Sequence, residues 1–201
     1  MSTPGGIQVE GHTRAAFMLR GALAVGATYG AGAVAPFVSN ALAAVPQSDL
    51  TIVQFALGLE QLETAFYKAA LARAGLGGDV QKLATEFGAH EADHAKALSQ
   101  LITQLGSKPQ PAPKAKFGLT DQASFLKLAV QLEDTGVGAY NGAAPAVKTA
   151  DLLATFGGIA QTEARHSAAV RAAAGMDPSP QAFEKPLTTA EVNSAVQPFI
   201  Q

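Results

Sequence analysis

The sequence contains no cysteine, and this absence excludes several kinds of chemistry. A chain without thiols has no disulfide framework, no catalytic thiol and no metal or iron centre built on thiolates. Basic runs are also missing and the formal net charge is −2, so nucleic-acid binding has no electrostatic support. What remains, 201 residues that are 48% hydrophobic and rich in alanine, favours one helical domain with a substantial core.

Residues 1–43 have the composition of an export signal. Arg14 and Arg20 flank a short basic region, and residues 21–38 form a weakly apolar stretch. Residues 41–43 read Ala-Leu-Ala, which fits a small-residue cleavage site. We therefore expect export to the periplasm, the cell wall or the extracellular space.

Two export routes fit the same residues. Residues 13–18 resemble a twin-arginine signal in which Ala15 replaces the second arginine, and a general secretory signal explains them equally. An N-terminal helix that is kept in the mature protein is the alternative. Because the apolar stretch is interrupted by glycines and a proline, it is a poor membrane anchor, and we expect no stable membrane span after signal removal.

Two Glu-x-x-His motifs are the most informative feature of the chain. Each is preceded by a lone glutamate, and each lone glutamate is followed seven residues later by a tyrosine. The first set is Glu60, Tyr67, Glu91 and His94, and the second is Glu133, Tyr140, Glu163 and His166. A Glu and a His three residues apart project from one face of a helix. Four carboxylates and two imidazoles in this order are typical of a dinuclear metal site inside a four-helix bundle.

Apolar residues at helical spacing predict four helices around these motifs. They cover about residues 48–74 and 79–105, the segment between Thr120 and Pro145, and about residues 149–174. The turn of each hairpin falls midway between its two glutamates, so both hairpins place their glutamates near mid-bundle. The linker of residues 106–119 contains three prolines and reaches about 45 Å when extended. That length permits a crossover along the bundle without excluding a simple up-down-up-down arrangement.

The chain after residue 175 is predicted to be a tail with one short helix. A Thr-x-x-Glu capping box runs from Thr188 to Glu191 and marks the helix start. Phe199 and Ile200 are its expected anchors on the bundle.

The motif order resembles the ferritin-like superfamily over about residues 48–174. The expected export and the Phe-Glu-Lys-Pro-Leu-Thr sequence of residues 183–188 are similar to the ferritin-like domain family that includes desiccation-related proteins. The resemblance implies an all-α fold, a ferritin-like four-helix bundle over residues 44–175. It also implies a long crossover between helices 2 and 3 and a short C-terminal helix.

The resemblance also implies roles for the motif residues. Glu60 and Glu133 would each bind one metal ion, Glu91 and Glu163 would bridge the two ions, and His94 and His166 would complete the two coordination shells. Two iron or manganese ions suit this ligand mixture, with zinc or no metal left open. Tyr67 and Tyr140 would be catalytic residues beside the metal, each donating a hydrogen bond or an electron.

Several functions are compatible with such a site. The leading one is redox chemistry with dioxygen or peroxide, either ferroxidase or catalase-like. A non-enzymatic exported stress or desiccation-related protein and an iron-storage cage are the alternatives, and homo-oligomerisation is left open.

Three further features stay undecided in the sequence. Glu63 is expected to have at most a supporting role, because Gly136 occupies the matched position in the second hairpin. His90 is either a hydrogen-bond partner of the site or a structural histidine. The glycines at 136, 138, 157 and 158 indicate close helix approach or a local bulge.

Overall fold

The computed structural model describes residues 47–201, and they form an antiparallel bundle of helices. The long helices are α1 (Gln47–Arg73), α2 (Gly78–Gln104), α3 (Gln122–Ala143) and α4 (Ala150–Ala173), and α5 (Thr189–Val196) follows as a short C-terminal helix. The predicted helices agree with these bounds to within one or two residues. The predicted export signal lies outside the described residues. No described helix is both long and apolar enough to span a membrane.

Glycine ends three of the long helices as the sequence predicts. Gly75, Gly106 and Gly175 have φ of +59°, +73° and +72°, a left-handed conformation that favours glycine. At the ends of α2 and α4, the N–H groups of the glycine and of the residue after it donate to carbonyls in the last turn of the helix, as in a Schellman motif. At the other end of a helix, Asp121 caps α3 by accepting a hydrogen bond from the backbone N–H of Ser124 at 2.8 Å.

The linker between α2 and α3 runs along α1, which confirms the predicted long crossover. Contacts with the first hairpin follow the same order along both segments: Gln54 with Lys108 and Phe66 with Phe117 in the linker, then Gly77 with Gln122, the first residue of α3. The third helix therefore begins beside the turn between α1 and α2, and α2 and α3 run in the same direction. The main packing is α1 on α2 and α3 on α4, with further contacts of α1 with α3 and α2 with α4.

Two apolar clusters form the core, one on each side of the bundle centre. The cluster toward the turn between α1 and α2 contains Phe66, Tyr67 and Phe125, with Phe66 and Phe125 stacked at 5.5 Å. The cluster toward the turn between α3 and α4 contains Tyr140 and Phe156. Along each long helix, residues of one cluster mostly precede the motif glutamate and residues of the other follow it; Leu59 and Ala139, which belong to the first cluster, are the exceptions. The polar residues of the motifs thus lie between two apolar layers.

The C-terminal tail closes against the crossover and α3. The capping box between Thr188 and Glu191 is present and begins α5 as predicted. Phe199 is 6% exposed and packs on Phe117 at 5.7 Å, which confirms it as an anchor. The prediction for Ile200 is wrong, since its side chain is 38% exposed. Its backbone holds this end instead, through an antiparallel bridge to Ala115.

Two glycines of α3 allow the tail to lie directly on the helix backbone. A Cβ added to Gly142 would come within 1.8 Å of the Leu187 carbonyl oxygen, and one added to Gly138 within 2.6 Å of the Leu187 side chain. The Leu187 N–H also donates to the Gly138 carbonyl at 2.8 Å. Close approach therefore explains Gly138. No contact in the described part of the chain explains Gly157 or Gly158, because a Cβ there would meet nothing within 4 Å.

Candidate metal centre

Six side chains from the four long helices meet near the middle of the bundle. Each helix contributes its motif glutamate, and α2 and α4 also contribute the histidine three residues later: Glu60, Glu91, His94, Glu133, Glu163 and His166. All four glutamates and His166 are at most 1% exposed, and the His94 side chain is 15% exposed. The structure thus brings together every residue that the sequence predicts as a metal ligand. Their role as ligands stays a prediction.

The six residues form two overlapping groups of four. One group contains Glu60 and His94, the other contains Glu133 and His166, and both contain Glu91 and Glu163. Within each group, one ligand atom per residue lies within 4.8 Å of all the others. A pair of metal ions would accordingly share Glu91 and Glu163, which is the bridging arrangement that the resemblance implies.

Both histidines turn the same ring nitrogen toward the carboxylates. His94 Nδ1 lies 3.1 Å from Glu60 Oε2, 3.1 Å from Glu91 Oε2 and 3.3 Å from Glu163 Oε1. His166 Nδ1 lies 2.8 Å from Glu91 Oε1 and 3.5 Å from Glu133 Oε2. His94 Nδ1 shares a proton in hydrogen bonds with Glu60 and Glu91, and a metal ion that replaced this proton would meet the same carboxylate oxygens.

Several of these buried atoms have no hydrogen-bond partner among the described residues. They are Glu91 Oε1, Glu133 Oε2, both carboxylate oxygens of Glu163, and His166 Nδ1. His166 Nδ1 and Glu91 Oε1 are close, yet their geometry is not that of a hydrogen bond. Buried polar atoms without partners are costly. Atoms that converge without bonding to one another fit a cation between them, so this donor set fits a metal pair.

The buried carboxylates of the cluster strongly favour positive charge beside them. Burial raises the pKa of Glu60 to about 7. Burial also disfavours the charged form of Glu91, but its close interactions with the imidazoles of His166 and His94 outweigh burial and lower the pKa of Glu91 to about 2. Burial opposes charging of His94 as well, but the carboxylates of Glu163, Glu60 and Glu91 raise its pKa to about 12. When no metal ion is bound, the protonated imidazoles supply this positive charge.

Each tyrosine hydrogen-bonds to the lone glutamate of the other hairpin. Tyr67 from α1 donates its hydroxyl to Glu133 Oε1 on α3, and Tyr140 from α3 donates to Glu60 Oε1 on α1. Burial, followed by the charge of the glutamate that each one contacts, raises the pKa of both tyrosines well above 10.0. Both hydroxyls therefore stay protonated and act as donors that orient the two glutamates.

His90 contacts the site through His166, which resolves what the sequence left open. Its Nδ1 lies 2.9 Å from His166 Nε2, and the planes of the two rings are within 5° of parallel. Phe87 stacks on His166 at a centroid distance of 3.9 Å. Because Nδ1 of His166 faces the carboxylates, its Nε2–H is free to donate to His90, and this bond orients the ring. The only signal in the sequence is that His90 precedes His94 by one helical turn.

Glu63 adds a fifth carboxylate to this region. It is 4% exposed, and its pKa is raised well above the usual value by burial and then by the charges of Glu163, Glu91, Glu133 and Glu60. The glycine at the matched position is explained here as well. A Cβ on Gly136 would lie 3.0 Å from Glu163 Oε2 and 3.3 Å from Glu63 Oε1.

Comparison with known proteins agrees with this architecture. A family model described as a ferritin-like domain matches residues 48–176. A solved structure, that of the conserved hypothetical protein rv2844 from Mycobacterium tuberculosis, aligns with a TM-score of 0.59 and 18% sequence identity. The alignment covers 68% of this chain and 97% of that one, and at this identity it shows a shared fold alone. No match is found among curated proteins.

Proposed function

The chain belongs to the ferritin-like domain family, and we propose that it binds two iron or manganese ions and reacts with dioxygen or peroxide. The observation that carries this proposal is the pair of overlapping four-residue groups that share Glu91 and Glu163. Carboxylate and imidazole ligands suit iron and manganese.

The chain's own residues supply binding, orientation and exclusion of water. Glu91 and Glu163 would contact both ions, while the other four motif residues would each contact one. Tyr67 and Tyr140 hold the two lone glutamates, and His90 holds His166. The apolar layers on both sides keep bulk water away. Two redox-active ions, when bound, would supply the electrons for reduction of dioxygen or peroxide.

A catalase-like reaction fits the sequence best among the redox alternatives. In that reaction one peroxide molecule is the oxidant and a second is the reductant, so no separate electron donor is required. The chain has no cysteine for a thiolate iron centre that could deliver electrons. Ferroxidase chemistry remains the second form of the proposal, in which the iron itself is oxidised.

Export is part of the proposal and rests on the sequence of residues 1–43. A mature protein that begins near Ala44 and accumulates outside the cytoplasm is the expected result of cell fractionation with N-terminal sequencing. A protein that keeps residue 1 and stays in the cytoplasm would contradict export without affecting the metal site.

The test of the function is elemental analysis of the full chain expressed with iron and manganese supplied. We expect about two metal ions per chain and turnover of peroxide or dioxygen. A variant with Glu91→Ala and Glu163→Ala should lose both metal and turnover. A matched double variant at two exposed positions, Glu86→Ala with Glu184→Ala, should retain both. A folded parent that carries no metal under either supply would contradict the proposal.

A non-enzymatic stress protein is the second candidate. It is favoured by the ion pairs of the cluster, in which two protonated imidazoles balance part of the carboxylate charge without a metal. This candidate predicts a folded protein whose thermal stability does not respond to chelators. The metalloprotein predicts that chelation lowers the thermal midpoint.

A further inference from the structure

The two hairpins repeat the motif residues but differ beside Glu163. Three residues after the lone glutamate, the first hairpin has Glu63 and the second has Gly136. Both positions belong to the middle of their helices, where the repeated glutamates converge. The two hairpins therefore differ at this position, which lies next to Glu163, a residue shared by both four-residue groups.

Glu63 and Glu163 converge on the backbone of Gly136. The point where a Cβ of residue 136 would stand is 3.3 Å from Glu63 Oε1 and 3.0 Å from Glu163 Oε2. A side chain at that point would displace one or both carboxylates. The glycine thus makes the space in which the fifth carboxylate lies beside the shared one.

The Glu63 carboxylate is buried without compensation from the protein. Within residues 47–201 no hydrogen bond or ion pair joins it to another residue, and the charges that act on it most are those of four glutamates. Glu163 Oε2 beside it also lacks a hydrogen-bond partner. A buried carboxylate in this situation is normally protonated, paired or bound to metal.

Charge balance indicates what Glu63 contributes. Four ionised carboxylates and two neutral imidazoles balance two divalent cations. A fifth carboxylate that binds an ion in its charged form leaves one negative charge over, and a trivalent ion in place of one divalent ion would balance it. Uncompensated charge in a buried site is costly, so the fifth carboxylate favours the metal pair of higher total charge.

We propose that Glu63 is a fifth carboxylate of the metal site, which contacts a bound ion beside Glu163 and gives the site a preference for a pair that includes a trivalent ion. This inference rests on the proposed metal site. It adds a specificity-determining residue to the six motif residues and makes the two ion positions unequal.

The test uses two redox-inert ions, Zn²⁺ as the divalent probe and Ga³⁺ as the trivalent probe. The full chain is equilibrated with both ions at a fixed ratio, and bound zinc and gallium are measured by elemental analysis. Glu63→Gln removes the charge at nearly constant shape. Glu184→Gln, in the exposed part of the C-terminal tail, removes the same charge away from the site. Circular dichroism checks that each variant is folded.

We expect Glu63→Gln to lower the ratio of bound gallium to bound zinc by at least about tenfold, while zinc supplied alone still binds. Glu184→Gln should leave the ratio unchanged. An unchanged ratio in Glu63→Gln would overturn the inference while leaving the metal site in place. A folded parent that binds neither ion would instead contradict the proposed function. Should Glu63→Gln fail to fold, Glu63→Leu provides the same comparison with an apolar side chain of similar size.

Discussion

The first hairpin, α1 with α2, and the second, α3 with α4, carry the same motif residues in different surroundings. Each offers a lone glutamate, a tyrosine and a Glu-x-x-His pair, and the tyrosines exchange hydrogen bonds across the interface between the hairpins. Only the first has Glu63 and His90 beside the site, and only the second is crossed by the C-terminal tail at Gly138 and Gly142. The six motif residues are thus repeated, while Glu63 and the contacts that support the motif residues are not.

Substituting a shared glutamate is expected to have the largest effect, which is on the metal content of both halves of the site. Glu91→Ala should remove both metal ions, since both groups lose a ligand, whereas Glu60→Ala or Glu133→Ala should leave about one ion per chain. Elemental analysis of the purified variants measures this difference. Equal metal content in Glu91→Ala and Glu60→Ala would contradict the division into shared and unshared glutamates.

Metal affinity is expected to depend steeply on pH in both halves of the site. The pKa of His94 is raised to about 12 and that of His166 to about 10, so both imidazoles carry a proton at neutral pH that metal must displace. Affinity should therefore fall at least about tenfold per ion for each pH unit of acidification, with proton release on binding, because Glu60 with its pKa of about 7 must lose its proton as well. Zinc titration in weak buffer with a pH indicator checks this. Stoichiometric binding with no proton release would show that the imidazoles are neutral before metal binds.

The exchanged tyrosines allow a sharper test of how the hairpins cooperate. Tyr67→Phe and Tyr140→Phe should each weaken metal binding by about 10- to 100-fold, because a glutamate loses the donor that orients it. Tyr67→Phe should add nothing further in a Glu133→Ala background but should retain its effect in a Glu60→Ala background. Zinc affinities of the single and double variants decide this. The reverse pattern would mean that each tyrosine serves its own hairpin.

The smallest expected effect is on stability and concerns the contact of Asp49 with the start of α4. The backbone N–H of Lys148 and that of Thr149, at the start of α4, donate to the buried carboxylate of Asp49 at 2.9–3.2 Å. Asp49→Asn should lower the free energy of unfolding by about 1 kcal/mol, as loss of a helix cap does. The exposed Asp151→Asn, in the first turn of the same helix, is the matched control. Urea titration monitored by circular dichroism measures both.

The effect of Asp49 should also depend on pH, with a defined sign. Its pKa is lowered in the folded protein: burial raises it, but the hydrogen bonds from Thr149 and Lys148 outweigh burial. The stabilisation is therefore present above the unfolded pKa of about 3.9 and is lost as pH falls through the lower folded value. The difference between parent and Asp49→Asn should vanish in strong acid. A difference that persists there would mean that Asp49 acts without its charge.

Local signals in the sequence were sufficient for the helices and the motif residues. Helix ends follow from glycines that adopt positive φ, and Glu91 and His94 share a face because three residues make nearly one turn. The tyrosine exchange was not predictable, since a seven-residue spacing says nothing about which hairpin a hydroxyl reaches. Asp49 binds the backbone of Lys148 and Thr149, which lie 99 and 100 positions further along the chain. The role of Gly138 depends on where Leu187 lies. Such contacts arise only when the helices are packed.

A crystal structure of the full chain grown with manganese, with anomalous data collected at the manganese edge, would show whether Glu91 and Glu163 hold two metal ions between the hairpins. We expect two anomalous peaks roughly 3.5–4 Å apart, one near His94 and one near His166, with both shared glutamates in contact with each. Well-ordered motif residues with no anomalous peak between them, or a single peak outside the bundle, would show that these glutamates do not hold a metal pair.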